Sequence, residues 1–223
     1  MNIAAILAGG RGLRMGTDIP KQFIEVEGTP IIMKAALAFQ RHPEIDEIYF
    51  VCVEERIPYL KELALEYNIT KTKAVLPGGS DRRESSFKAV KAVYDTHSPD
   101  DVILIHDAAR PNVDARIISD NIRLAGKFGA CDTVIPSQDT VIISEDGKLA
   151  DSYTDRRQMY LVQTPQSFRL QEIYDAHLAC AGREGITDDC GMVHMCGGKV
   201  ALAMGSKENV KVTTAEDLKY LGK

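Results

Sequence analysis

Ile3-Ala4-Ala5-Ile6-Leu7 runs directly into Ala8-Gly9-Gly10-Arg11-Gly12-Leu13-Arg14-Met15-Gly16, and Pro20-Lys21-Gln22 closes the stretch. The apolar run is short, continuous and bounded by glycine, which reads as a buried strand. The glycines allow a tight turn and a close approach of backbone to a ligand. Backbone N–H groups in such a loop point at phosphate oxygens. Arg14 and Lys21 follow at spacings that bring two cations onto one anion. Strand, glycine loop and cations together suggest a nucleoside triphosphate site. The loop is not a Walker A motif, because the G-x-x-x-x-G-K-[ST] order is absent. It holds Gly10-x-Gly12, but position 15 is Met, which weakens a dinucleotide-fold reading.

The surrounding composition fits an ordinary folded chain. There are 223 residues, 44% hydrophobic and 26% charged, with a net charge of −5. That length suits one α/β domain with a small appendage and is enough to bury a sizeable core. The negative balance argues against a general nucleic-acid footprint. No apolar stretch is long enough to span a bilayer. The first residues lack a basic lead and enter the glycine loop, so they read as a strand and not a signal peptide. A cytoplasmic location is therefore expected. The 5 cysteines are scattered without a C-x-x-C, which reads as reduced thiols. Cys190, His194 and Cys196 raise a metal question, but their stretch reads as a helix and turn with apolar Met192, Val193 and Met195.

Outward from the first strand, strands and helices alternate, which predicts a mostly parallel sheet covered on both faces. Helices are expected over 30–40, 59–67, 115–128, 170–181 and 188–196, and one carrying Phe87, Val90 and Val93. Strands are expected over 47–53, 73–76, 101–106, 131–136, 160–164, 200–204 and 210–212. Thr214 and Asp217 form a capping box for a last helix. Residues 139–155 break the alternation. Thr140 to Ser144 and Lys148 to Tyr153 flank Glu145-Asp146-Gly147, a hairpin signal. This insertion reads as a protruding β-arm.

Further constellations carry chemistry. Ile105-His106-Asp107-Ala108-Ala109-Arg110-Pro111 ends an apolar strand with an Asp and an Arg, at the edge where open α/β sheets bind ligands. Asp107 there is suited to hold magnesium or to accept hydrogen bonds from a polyol. Gly78-Gly79-Ser80-Asp81-Arg82-Arg83-Glu84-Ser85 reads equally as a nucleotide platform or as an N-cap with solvated charges. Asp155-Arg156-Arg157, Gln163-Thr164-Pro165-Gln166 and Asn209-Val210-Lys211-Val212-Thr213 follow. Lys211 within a short apolar run is costly to bury without an anion. No Ser or Cys has nucleophile-elbow surroundings.

These motifs, in this order over nearly the whole chain, resemble the cytidylyltransferases that act on polyol phosphates. The family includes the methylerythritol 4-phosphate enzymes of isoprenoid synthesis and the ribitol 5-phosphate enzymes of teichoic-acid synthesis. Gly9 is more like the ribitol enzymes; Ala108-Ala109 and Asp155-Arg156 lean to methylerythritol, which is put first. The resemblance implies a Rossmann-like sheet of the nucleotide-diphospho-sugar transferase type, one nucleotidyltransferase domain over 1–223, and a homodimer through the arm. It implies CTP and a polyol phosphate as substrates, with magnesium as the divalent cation. By the same resemblance Arg14 and Lys21 stabilise charge at the α-phosphate, and Arg156 and Lys211 position the substrate phosphate. Ala8, Gly9, Gly10, Gly79 and Ser85 hold the nucleotide. Asp107, Arg110, Thr140 and Thr164 surround the polyol, with Thr140 and Arg156 reaching a partner's site. A non-catalytic nucleotide-binding module is the alternative; retention of all four cations argues against it.

Overall fold

A computed structural model describes residues 1–10 and 20–220. Among them, seven strands form one sheet in the order β11-β7-β10-β6-β1-β4-β5. These are β1 (Asn2–Ala8), β4 (Glu47–Cys52), β5 (Thr72–Pro77), β6 (Val102–Asp107), β7 (Ala130–Pro136), β10 (Tyr160–Arg169) and β11 (Val200–Met204). All neighbouring pairs run parallel except those of β10, which is antiparallel to both β6 and β7. The expected α/β fold with a mostly parallel sheet is what forms.

The sheet's two faces follow from the alternation of side chains along its strands. Ala4, Ile6 and Ala8 point to one side, with Ile48, Phe50 and Cys52 of β4 beside them. On that side lie α1 (Ile31–Arg41), α2 (Ile57–Glu66) and α4 (Ala115–Phe128), bringing Phe39, Leu60 and Ile117. Ile3, Ala5 and Leu7 point to the other side with Tyr49 and Val51. There lie α3 (Arg82–Tyr94), α5 (Leu170–Ala179) and α6 (Asp189–Met195), bringing Val90, Ile173 and Val193. Three of these helices begin on an aspartate whose carboxylate accepts a backbone N–H of the first turn. Asp81 accepts from Glu84, Asp114 from Ile117, and Asp188 from Gly191.

Three expectations are corrected. Residues 210–212 are not a strand; Val212 N–H donates to Ala109 O at 2.8 Å, but no ladder follows from this backbone bond among the described residues. The strand expected over 160–164 continues to Arg169, through a register shift between Val162 and Gln166. The arm pairs only β8 (Ile142–Ile143) with β9 (Ser152–Tyr153). Its tip is no two-residue turn, because Asp146 Oδ1 accepts from both Lys148 N and Leu149 N and winds the chain locally instead. The small strands β2 (Glu25–Val26) and β3 (Thr29–Pro30) form a separate ribbon. The capping box holds, with Asp217 accepting from Thr214 N at 2.8 Å, but the helix it starts is a 3-10 helix over Ala215–Tyr220.

Phe168, on β10, is fully buried where the antiparallel strand meets the parallel sheet. Truncation there leaves a cavity that rigid neighbours on both sides fill poorly. We expect Phe168→Ala to cost about 3–5 kcal/mol in denaturant unfolding. Leu65→Ser, at a side chain 82% exposed, should change stability by no more than about 0.5 kcal/mol.

Candidate active site

β1, β4, β5 and β6 end together at one edge. Leu7 pairs with Asp107 across β1–β6, Ala8 with Cys52 across β1–β4, and Cys52 with Pro77 across β4–β5. This register brings the glycine turn after β1, the Gly78-Gly79 turn after β5 and Asp107 after β6 to the same rim. Gln22, only 2% exposed, fastens the first turn: its side-chain amide donates to Ala8 O at 2.7 Å and to Gly10 O at 3.0 Å. Arg14 lies outside the described residues.

The two glycine turns touch through Ser85. Its hydroxyl accepts from Gly79 N at 2.9 Å and donates to Asp81 O at 2.8 Å. A Cβ on Gly9 would stand 2.9 Å from the same hydroxyl oxygen. A Cβ on Gly79 would stand 2.4 Å from Glu84 Cβ, so no side chain fits there. Ala8, Gly9, Gly10, Gly79 and Ser85 thus share one patch, with Ser85 as its buried pin.

Beside it sits a charged cluster around Asp107. Lys211 Nζ approaches Asp107 Oδ2 at 2.7 Å, and Arg82 Nε approaches Oδ1 at 3.4 Å. Burial pushes the Asp107 carboxyl up, but Arg82, Lys211 and Arg110 outweigh it and hold it well below the usual carboxylate range. Lys21 Nζ donates to Val212 O at 2.7 Å, so Lys21 is tied to the residue next to Lys211. Arg110 Nη1 donates to Asn209 O at 2.7 Å. Burial lowers the Arg110 guanidinium's proton affinity against the opposing pull of Asp107.

Thr164 locks the strand end from behind. Its hydroxyl accepts from Asp107 N at 3.0 Å, so its proton goes to His106 Nδ1 at 3.1 Å. His106 Nε2 then carries the hydrogen that Arg110 O accepts at 2.9 Å. Burial lowers the His106 pKa to about 4, keeping the ring neutral at physiological pH. Asn209 closes the frame by donating to Thr164 O at 2.9 Å.

The structure therefore gathers Lys21, Lys211, Asp107, Arg110 and Thr164 next to the patch formed by the two glycine turns. Thr140 and Arg156 belong instead to the arm segment, where both are exposed, and Arg156 Nη1 donates to Gln138 O at 3.5 Å. Sequence reasoning assigned no role to Gln22, Arg82, Gln166 or Asn209. Gln22 and Asn209 lay inside quoted motifs beside the lysines. Arg82 was hidden among four consecutive charged residues that read equally as solvated. Asp81 is indeed an N-cap, but Arg82 turns inward, with Nη1 on the fully buried Asp189 Oδ2 at 2.7 Å.

Comparison with known proteins places this arrangement. Residues 2–221 match the family model described as 2-C-methyl-D-erythritol 4-phosphate cytidylyltransferase (IspD). The chain is similar to 2-C-methyl-D-erythritol 4-phosphate cytidylyltransferase of Clostridium acetobutylicum, 41% identical over 98% of this chain and 94% of that one. It is 29% identical to the solved 4-diphosphocytidyl-2C-methyl-D-erythritol synthase of Anaerococcus prevotii, covering 98% of this chain and 93% of that one, with a TM-score of 0.85. The solved Francisella tularensis 2-C-methyl-D-erythritol 4-phosphate cytidylyltransferase gives a TM-score of 0.81 at 27% identity, covering 98% and 97% of the two chains.

Behind the rim, Gln166 Nε2 donates to Asp132 Oδ1 at 3.0 Å and to Asp188 Oδ2 at 2.7 Å. Burial raises the Asp132 pKa to about 7; Gln166 opposes this and the Asp188 charge adds to it. The folded protein thus binds this proton more tightly than the unfolded chain, where the carboxyl titrates near ~3.9. Its contribution to stability is complete below that value and is lost as pH rises through about 7. Asp132→Asn should therefore raise the thermal midpoint more at pH 8 than at pH 5. An equal shift at both values, measured by calorimetry, would contradict this account.

Proposed function

The chain belongs to the 2-C-methyl-D-erythritol 4-phosphate cytidylyltransferase family, and from that premise we infer how its residues carry the reaction. The activity is transfer of CMP from CTP to 2-C-methyl-D-erythritol 4-phosphate, giving the CDP-polyol and pyrophosphate, a step of isoprenoid precursor synthesis. The ribitol-like Gly9 is compatible with this: a Cβ there would stand 2.9 Å from the Ser85 hydroxyl oxygen, and glycine leaves that hydroxyl free to pin the Gly79 turn.

In our proposal residues 1–223 act as one nucleotidyltransferase domain in the cytoplasm, with 139–155 as its arm. Ala8, Gly9, Gly10, Gly79 and Ser85 cradle the nucleotide. Lys211 and Arg156 hold the polyol phosphate; Asp107, Arg110, Thr140 and Thr164 surround the polyol. A phosphate monoester oxygen attacks the α-phosphorus, and the bond from that phosphorus to the bridging β-phosphate oxygen breaks. The second pKa of a phosphate monoester is about 6, so the nucleophile is dianionic at neutral pH and needs no general base. The difficulty is bringing two anions into line, and Arg14 and Lys21 relieve it by stabilising charge on the α-phosphate oxygens. The observation that carries this reading is that Lys21 bonds the carbonyl of Val212, the residue next to Lys211, while Lys211 reaches Asp107 at the rim beside the glycine turns.

Magnesium enters this proposal with the triphosphate. Both Asp107 oxygens already face cations, and no group of three or more His, Cys, Asp or Glu is placed to hold a metal ion among the described residues. That donor set does not fit a resident ion. It fits a cation held mainly by phosphate oxygens, which Mg²⁺ favours, with Asp107 as the carboxylate we assign to it among the described residues. When bound, the ion would neutralise phosphate charge.

The arm carries exposed Ile142, Ile143, Leu149 and Tyr153, and the adjoining strand exposes Leu161 and Val162. A patch of this kind supports a homodimer in which Thr140 and Arg156 reach the partner's site. We expect Ile143→Asp to shift sedimentation from dimer to monomer and to lower kcat/KM by roughly tenfold or more. A wild-type monomer with full activity would end the dimer reading.

Pyrophosphate release from CTP should occur with 2-C-methyl-D-erythritol 4-phosphate and not with ribitol 5-phosphate. Lys21→Ala should reduce kcat by roughly 100-fold or more, since it removes a charge contact that strengthens in the transition state. Unchanged kcat with a raised KM for CTP would assign Lys21 to ground-state binding instead.

A further inference from the structure

We propose that Arg82 is a positioning residue for this reaction, holding Asp107 so that Lys211 stays available to the substrate phosphate. The proposal rests on the reading of Lys211 given above. Arg82 stands in the first turn of α3, and its guanidinium spans two carboxylates that belong to different parts of the fold. Nη1 lies 2.7 Å from Asp189 Oδ2, at the start of α6, and Nε lies 3.4 Å from Asp107 Oδ1, at the end of β6. The remaining Asp107 oxygen faces Lys211 at 2.7 Å. The order Asp189–Arg82–Asp107–Lys211 is thus a line of alternating charge running from the interior to the rim.

The inner end of that line is fixed. Asp189 is fully buried, its Oδ1 accepts from the Ser86 hydroxyl at 2.7 Å, and its backbone N–H donates to Gln166 Oε1 at 3.2 Å. His177 Nε2 stands 3.6 Å from the same Oδ1, and burial lowers its proton affinity. Arg82 is therefore placed by groups that have no part in substrate contact. The outer end is adjustable: the Lys211 side chain is about two-fifths exposed, whereas that of Asp107 is buried.

This asymmetry sets what Arg82 does. With the guanidinium present, Asp107 has two cations in direct contact, Arg82 and Lys211, with Arg110 adding its charge from further off. Without it, Lys211 is the nearest remaining counter-charge for a buried carboxylate, and the existing 2.7 Å pair holds the lysine more firmly. Only a fork-shaped cation reaches both carboxylates; an ammonium is a single point charge. In Arg82→Lys the ammonium should stay with Asp189, because an unpaired, fully buried carboxylate is the costlier one to abandon. Asp107 then falls to Lys211, and the substrate phosphate must compete for that lysine.

The test is steady-state kinetics with CTP and 2-C-methyl-D-erythritol 4-phosphate, run in two backgrounds. Arg82→Lys should raise KM for the polyol phosphate about tenfold while KM for CTP changes by less than about twofold. In an Asp107→Asn background the same substitution should change KM for the polyol phosphate by less than about twofold, since the carboxylate through which it acts is gone. Ser86→Ala, which loosens Asp189 without removing a charge, should shift the same KM in the same direction by a smaller factor. It supplies the measurement if Arg82→Lys does not fold. Equal increases for both substrates, an undiminished effect in the Asp107→Asn background, or no effect of either variant overturns the role of Arg82. Absence of turnover by the wild-type chain with this substrate overturns the functional reading and the proposal together.

Discussion

A carboxylate at the end of a fully buried strand has to be neutralised, and Asp107 is that carboxylate. Every residue of β6 is buried, so the strand delivers its last side chain into a place where desolvation alone would favour the protonated acid. Arg82, Lys211 and Arg110 reverse that preference. They come from α3, from the chain segment beyond β11, and from the loop after β6 itself. Meeting this one electrostatic demand therefore ties two distant stretches of sequence to the rim, beside the loop that follows β6. The cost of burying a charge is met by bringing several cations together at one rim.

The same logic explains why so much uncharged hydrogen bonding surrounds the cluster. Thr164, His106, Arg110 O, Asn209 and Gln163 form a closed frame in which His106 must stay neutral for its two ring nitrogens to accept from Thr164 and donate to Arg110 O. A protonated ring would place one more cation beside Arg110 and leave the Thr164 hydroxyl without its acceptor. Burial, which lowers the His106 pKa to about 4, is therefore part of how the strand end keeps its shape across the physiological range. Gln22 plays the matching part for the glycine turn, and Ser85 for the contact between the two turns.

The sheet was legible in the sequence because its central strands are apolar and bounded by turn residues, and the alternation with helices left few other architectures. The rim residues were legible for a different reason: Lys21, Asp107 and Lys211 are charges set in or beside apolar runs, which is where charge is expensive. Arg82 was not legible, since nothing local separates an inward-turning arginine from its solvated neighbours Asp81, Arg83 and Glu84. What decides it is Asp189, 107 residues away. The arm was legible as a hairpin by its Asp-Gly signal, but its strand lengths were not. The side chain of Asp146 competes for the backbone N–H groups of the tip, a local preference that alternation does not encode. Segment 210–212 failed as a strand because apolar residues around a lysine suggest a ladder, whereas the chain there forms one cross-connection to Ala109 and spends its lysine on Asp107.

Groups of the chain itself already engage these cations. Lys21 Nζ is on a backbone carbonyl and Lys211 Nζ on a carboxylate, each at 2.7 Å. Anions arriving at this rim exchange partners with cations that are already partly desolvated and already oriented. The reorganisation they demand is small compared with gathering hydrated side chains from solution. The two exchanges differ in kind. The bond from the Lys21 ammonium to Val212 O is charge-assisted but faces a neutral acceptor, whereas Asp107 releases Lys211 only if another cation stays on it. That second condition is what the Asp189-anchored guanidinium satisfies, so the buried carboxylate network behind the sheet and the phosphate chemistry in front of it belong to one electrostatic arrangement.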